Sequence, residues 1–84
     1  MRARFRERSE RDLARLRELR AEHADTPELR GLIHNLAGAA GTFGYPALSA
    51  AAAVVDDCYA EGREPDAALF DALELSLTTV LSAE

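Results

Sequence analysis

Three short interruptions govern what this chain can fold into. Thr26-Pro27-Glu28, Gly44-Tyr45-Pro46 and Gly62-Arg63-Glu64-Pro65-Asp66 divide 84 residues into four pieces of helix length. Proline suits the first turn of a helix, where its missing N–H is no loss, and glycine suits the position just past a helix end. Thr26 is a fitting N-cap, and Glu28 sits well at the positive end of the helix dipole. Between the breaks, apolar residues recur every three or four positions, and no segment alternates with the period of a strand. Helices are expected over about residues 3–24, 27–43, 46–61 and 66–82. Phe5, Ser9, Asp12, Leu16, Leu19 and His23 form the stripe of the first, with Leu13 on its flank. Ser9 and Asp12 are polar flaws in that stripe, and His23 is expected to close it in a structural role. Connections this short oblige neighbouring helices to run antiparallel. The expected fold class is therefore all-α, an antiparallel up-down four-helix bundle forming one domain over residues 1–84.

The hydrophobic content of 48% is mostly Ala and Leu, both strong helix formers. The expected core is Leu13, Leu16 and Leu19; Leu29, Leu32, Ile33, Leu36 and Ala40; Leu48, Ala52, Val55 and Tyr59; and Leu69, Phe70, Leu73, Leu77, Val80 and Leu81. Cys58 projects near the core side of the third helix and reads as a small buried hydrophobe. Phe43 and Tyr45, at the tip of the central hairpin, are expected to plug the bundle end.

Several function classes lose support at once. No apolar run reaches the roughly 18 residues of a membrane span. The charged start, MRARFRERSERDLARLRELR, lacks the apolar stretch of a secretory signal. A single cysteine cannot form an internal disulfide, which points to a reduced, cytoplasmic setting. Residues 1–20 hold eight arginines against four acids, while residues 21–84 hold two arginines against eleven acids. The basic start is interleaved with acids at helical spacing, as in Glu7 with Arg11, Arg8 with Asp12 and Arg6 with Glu10, and reads as a salt-bridged face. The net charge of −5 also disfavours a nucleic-acid binder. A monomer acting without nucleic acid or membrane is expected.

The most informative segment surrounds His34. At about 100° per residue, Leu29, Ile33, Leu36 and Ala40 fall on one buried stripe, and His34 lies well off it. Gly31, Arg30, Ala37, Gly38 and Gly41 surround the histidine, so it stands in a clearing with little side chain. Each interior glycine costs a helix about 0.8–1 kcal/mol relative to alanine. Close helix packing would explain that cost, but these glycines mostly face away from the leucine stripe. The alternative is that another macromolecule brings its reactive group up to the imidazole. Metal binding wants three or four clustered ligands, and neither His23 nor Cys58 stands at ligand spacing from His34. No serine-type triad and no lysine-bearing phosphate loop is present. What remains is a histidine nucleophile forming a covalent intermediate. His34 lies eleven residues before Tyr45 and Asp56 eleven after it, which sets the two at one height in an antiparallel hairpin. Asp56 is then either the acceptor that orients the imidazole or an ordinary solvated acid. Arg30, one turn before His34, is either a cation for a phosphoryl oxygen or a plain surface charge.

His34-Asn35-Leu36-Ala37-Gly38-Ala39-Ala40-Gly41-Thr42-Phe43-Gly44 resembles the motif of the histidine phosphotransfer (HPt) family, His-x-Leu-Lys-Gly-(Ser/Ala/Gly)-Ala-Gly-x-x-Gly. The Gly-Thr-Phe-Gly-Tyr run is most similar to the phosphotransfer domains of chemotaxis kinases. The resemblance implies that His34 takes up phosphate at Nε2 and exchanges it with receiver-domain aspartates of response regulators and hybrid histidine kinases. It implies that Gly38 leaves room for the receiver, and that Gly31, Ala37, Gly41 and Tyr45 belong to the same partner surface. It implies that Asp56 stands where chemotaxis-type domains place a glutamate bonded to the imidazole. No cofactor of its own is implied, because the magnesium belongs to the receiver. The chain departs from the family where its lysine, three residues after the histidine, is Ala37; Arg30 is the candidate replacement. The same resemblance allows a second reading, a docking module for receivers that is never phosphorylated. It also allows a third, a fragment of a larger kinase, although the ends at Met1 and Glu84 read as a free-standing phosphocarrier without its own ATP site.

Overall fold

Local signals in the sequence start and stop the helices at the chain's internal breaks. The computed structural model describes residues 2–23 and 25–82, and Met1, Ala24, Ala83 and Glu84 lie outside the described residues. The helices are α1 (Arg2–Glu22), α2 (Pro27–Thr42), α3 (Pro46–Ala60) and α4 (Ala67–Ser82), and no strand occurs among the described residues. Thr26 caps α2, its Oγ1 accepting the Leu29 N–H at 3.2 Å. The Asp66 carboxylate takes the same role for α4, accepting the Leu69 N–H at 3.1 Å.

The ends of α2 and α3 close in one way. After α2 the Tyr45 N–H donates to the Ala40 carbonyl at 2.8 Å and the Gly44 N–H to Gly41 at 3.3 Å, with Gly44 at φ 84°. After α3 the Arg63 N–H donates to Cys58 at 2.8 Å and the Gly62 N–H to Tyr59 at 3.0 Å, with Gly62 at φ 76°. Both are Schellman closures, and each needs a left-handed residue that glycine supplies without a Cβ clash.

Around the bundle, α1 packs on α2, α2 on α3, α3 on α4 and α4 on α1, and among the described residues the backbones of diagonal helices do not approach closely. The pairing of α2 with α3 is the most extensive. Side-chain contacts show the antiparallel run. Arg15 Nε of α1 meets Glu28 of α2 at 2.8 Å, while Phe5 and Phe43 stack 5.0 Å apart at the other end. Arg6 bonds the Leu81 carbonyl near one end of α4, and Arg20 Nη1 meets Asp71 at 2.8 Å near the other.

The core differs from expectation at a few positions. Leu32, Leu69 and Leu81 are half-buried against the core rather than within it. Phe5 joins it, 1% exposed, stacked on both Phe43 and Tyr45. Cys58 is buried. The expected reach of the first helix to residue 24 is corrected. The helix stops at Glu22, and Ala24 lies outside the described residues. His23 is exposed rather than closing an apolar stripe, and its Nδ1 accepts the Asp25 N–H at 3.0 Å. One polar flaw of α1 is deeply buried: Ser9 is 0% exposed and its hydroxyl makes no hydrogen bond among the described residues.

Candidate functional site

The α2–α3 hairpin builds the site by simple counting from its turn. Gly41 and Ser49, four residues either side of Tyr45, face each other, and a Cβ on Gly41 would stand 3.4 Å from the Ser49 hydroxyl. That hydroxyl donates to the Ala37 carbonyl at 2.9 Å. Two turns farther from the hairpin tip, His34 Nδ1 and Asp56 Oδ2 meet at 3.1 Å. The imidazole is 74% exposed and Asp56 32%. An ionised carboxylate only accepts hydrogen bonds, so in a neutral imidazole paired with one Nδ1 carries the hydrogen and Nε2 the lone pair. Side chains on a helix lean toward its N-terminus. The ring therefore lies over the turn of Arg30 and Gly31, and these residues line an open cleft with His34, Asp56, Tyr59 and Ala60.

The glycines around His34 divide into two kinds. An added Cβ at Gly31 or Gly38 would meet nothing within 4 Å, so the bundle itself does not require either. Gly41 stands against α3. Ala37 is half-buried, its side chain packed against the core. Tyr45 is not in the cleft: it sits at the bundle end on Phe5, ring centroids 4.8 Å apart, beyond the end of α2, which itself lies about 12 Å from His34 at 1.5 Å per residue.

The cation of the cleft is already engaged. Arg30 Nε and Nη2 donate to the two oxygens of Asp25 at 2.5 and 2.8 Å, and its guanidinium lies 5.0 Å over the Tyr59 ring. This bidentate bond holds the Asp25 carboxyl below its usual range and raises the guanidinium further above its own. Burial pushes the Tyr59 phenol up to about 12, so the shelf beneath Arg30 is a neutral ring.

The family model of the Hpt domain matches residues 1–83. The chain belongs to the Hpt-domain family. No curated protein and no solved structure matches it. Hpt domains are phosphocarrier modules of two-component signalling that meet receiver domains and carry no ATP site of their own. Set within an Hpt domain, the position three residues after the histidine leans back over it, whereas Arg30 leans away from it. Among the described residues no three His, Cys, Asp or Glu side chains gather to hold a metal ion, and no helix is long and apolar enough to cross a membrane. An apolar groove between the start of α3 and α4, with Pro46, Leu48, Leu75 and Val80 among its lining residues, has no acid or arginine in it and lies apart from the histidine.

Two residues that hold Arg30 escaped sequence reasoning. Asp25 is five residues from Arg30, across a helix start, where no helical spacing points to it. Tyr59 reads only as core, although counting from Tyr45 sets it within one residue of Arg30's level.

Proposed function

We propose that His34 is the phosphoacceptor of this Hpt domain, exchanging a phosphoryl group with a receiver aspartate. The observation that carries this is the exposed imidazole, tied at Nδ1 by Asp56 and open at Nε2. In the forward step the Nε2 lone pair attacks phosphorus in line as the P–O bond of the receiver's acyl phosphate breaks. The aspartate carboxylate leaves with the bonding electrons, and Nδ1 keeps its hydrogen on Asp56. Asp56 fixes the tautomer and offsets the positive charge that develops on the ring. Magnesium comes with the receiver, and the module needs no cofactor of its own. Gly31 and Gly38 leave the surface beside His34 low, so a receiver can bring its aspartate to bonding distance. Arg30 is the nearest cation for the phosphoryl oxygens in place of a lysine at Ala37. The module works in the cytoplasm as a monomer, with receivers of response regulators and hybrid histidine kinases as partners.

The test is transfer of label from a phosphorylated receiver, with Mg²⁺, to the chain. The expected product is an acid-labile phosphohistidine that His34→Gln abolishes and Asp56→Ala slows. Label that never arrives, or that survives in His34→Gln, overturns the assignment. Ala37 together with the engaged Arg30 favours one further reading, a receiver-docking module that carries no phosphate. It predicts receiver binding without phosphohistidine in the unaltered chain, and the same affinity in His34→Gln.

A further inference from the structure

Arg30, one of the residues lining the cleft, is bound by a carboxylate from outside that lining. Asp25 lies in the connection between α1 and α2, and both its oxygens grip one guanidinium edge, at 2.5 and 2.8 Å. The same guanidinium rests 5.0 Å over Tyr59, a residue only 5% exposed. Arg30 is thus held on two sides, on the N-terminal flank of the ring it shares a cleft with. The direction of helical side chains explains the placement: an arginine four residues before the histidine leans away from it, toward Asp25. A phosphoryl group on Nε2 would change the balance. It adds close to two negative charges and three acceptor oxygens to the cleft that the same planar fork lines. One partly exposed carboxylate is the weaker competitor for that fork.

We propose that Asp25 is a latch on Arg30, holding the guanidinium on its Tyr59 shelf while His34 is bare and yielding it to the phosphoryl group once His34 carries one. This rests on the phosphocarrier reading of His34. Asp25 is then a positioning residue that acts through Arg30, and Tyr59 keeps the guanidinium beside the cleft in both states. The device accounts for an Hpt domain in which the arginine lining the histidine's cleft is bound elsewhere at rest.

The experiment uses the full chain, phosphorylated with phosphoramidate. The P–N bond of the reagent breaks, ammonia leaves, and phosphorus bonds to His34 Nε2. Two signals are read by NMR: the Arg30 Nε–Hε resonance, and the ³¹P titration of the phosphohistidine. In the unaltered chain the Arg30 resonance moves on phosphorylation. In Asp25→Asn it has left the latched position before any phosphate is added. The same substitution raises the acid dissociation constant of the phosphoryl group about 1.4- to five-fold, the range of an exposed ion pair. That change is smaller when Arg30→Ala is already present, because the latch acts through Arg30. Asp25→Ser, a second replacement that also lacks the carboxylate, gives the same result, and helical circular dichroism confirms that both variants fold. A phosphohistidine whose formation leaves the Arg30 resonance unmoved overturns the latch. So does an Asp25→Asn effect equal with and without Arg30. If the unaltered chain takes no phosphate at all, the phosphoacceptor reading fails and the latch falls with it.

Discussion

His34 stands open to solvent because of what its neighbours lack. Asp56 occupies one ring nitrogen, and Gly31 and Gly38 leave the space beside the ring unfilled. Those two glycines weaken their own helix, and nothing in the bundle would resist a methyl group at either place. Gly38→Ala is therefore expected to stabilise the fold by about 0.8–1 kcal/mol in denaturant unfolding. If a receiver docks over this face, the same methyl group slows phosphotransfer from it. A variant that is more stable and transfers equally fast would remove the docking argument for Gly38. The pairing of His34 with Asp56 was legible in the residues, because counting from a tight turn sets heights along an antiparallel pair. The grip of Asp25 on Arg30 was not, because a long flexible side chain chooses its partner from whatever surrounds it.

At the level of the helices, α1 is the least perfectly adapted to its place. Its stripe carries Ser9, buried without a hydrogen bond, and Asp12, only 14% exposed beside Arg8. An unsatisfied buried hydroxyl costs about 1–3 kcal/mol. Ser9→Ala is accordingly expected to stabilise the bundle by about 1 kcal/mol, with a rise in melting temperature of roughly 4–8 °C. Asp12 has a second signature. Burial raises its carboxyl above the ordinary 3.8, outweighing the attraction of Arg8. The folded state thus holds that proton more tightly than the unfolded chain. The contribution of Asp12 is favourable below 3.8 and is lost as pH rises through the raised value. Asp12→Asn should therefore gain on the unaltered protein as pH climbs from below 3.8 to neutrality, measured by denaturant midpoints at both ends. A constant difference across that range would refute the assignment. Both flaws are visible in the spacing of α1, but only burial shows that Ser9 lacks a partner.

Across the whole molecule, charge is distributed so that the basic helix is neutralised by its neighbours. Arg15 meets Glu28 of α2, and Arg17 and Arg20 meet Glu74 of α4 at 3.1 and 2.5 Å. Arg20 also meets Asp71 and lies 5.3 Å over the Phe70 ring. These contacts close the ring of four helices between its first and last members. Glu74 is 18% exposed and receives two guanidinium groups, so Glu74→Ala is expected to cost about 1–3 kcal/mol. Salt screens such pairs, and the difference from the unaltered protein should shrink at 1 M salt, where the Debye length is about 3 Å. Unfolding curves at low and high salt give the answer; a loss that does not depend on salt would mean packing rather than charge. Within α1, Arg8 pairs with Asp12 and Arg6 with Glu10 at the expected spacing. Glu7 and Arg11, at the same spacing, form no ion pair among the described residues.

The sequence by itself determined the number of helices, their caps and stops, the antiparallel order and the outward face of His34. Each of these follows from bonds and side chains within a few residues, where the fixed rise and turn of the helix leave little choice. Only the tertiary structure decided that Phe5 stacks under Phe43 and Tyr45, that His23 falls outside its helix and into solvent, and that Arg30 is tied to Asp25 above Tyr59. Those contacts depend on how each helix is rotated against the next and on the rotamers of long side chains. No short-range spacing rule specifies either one.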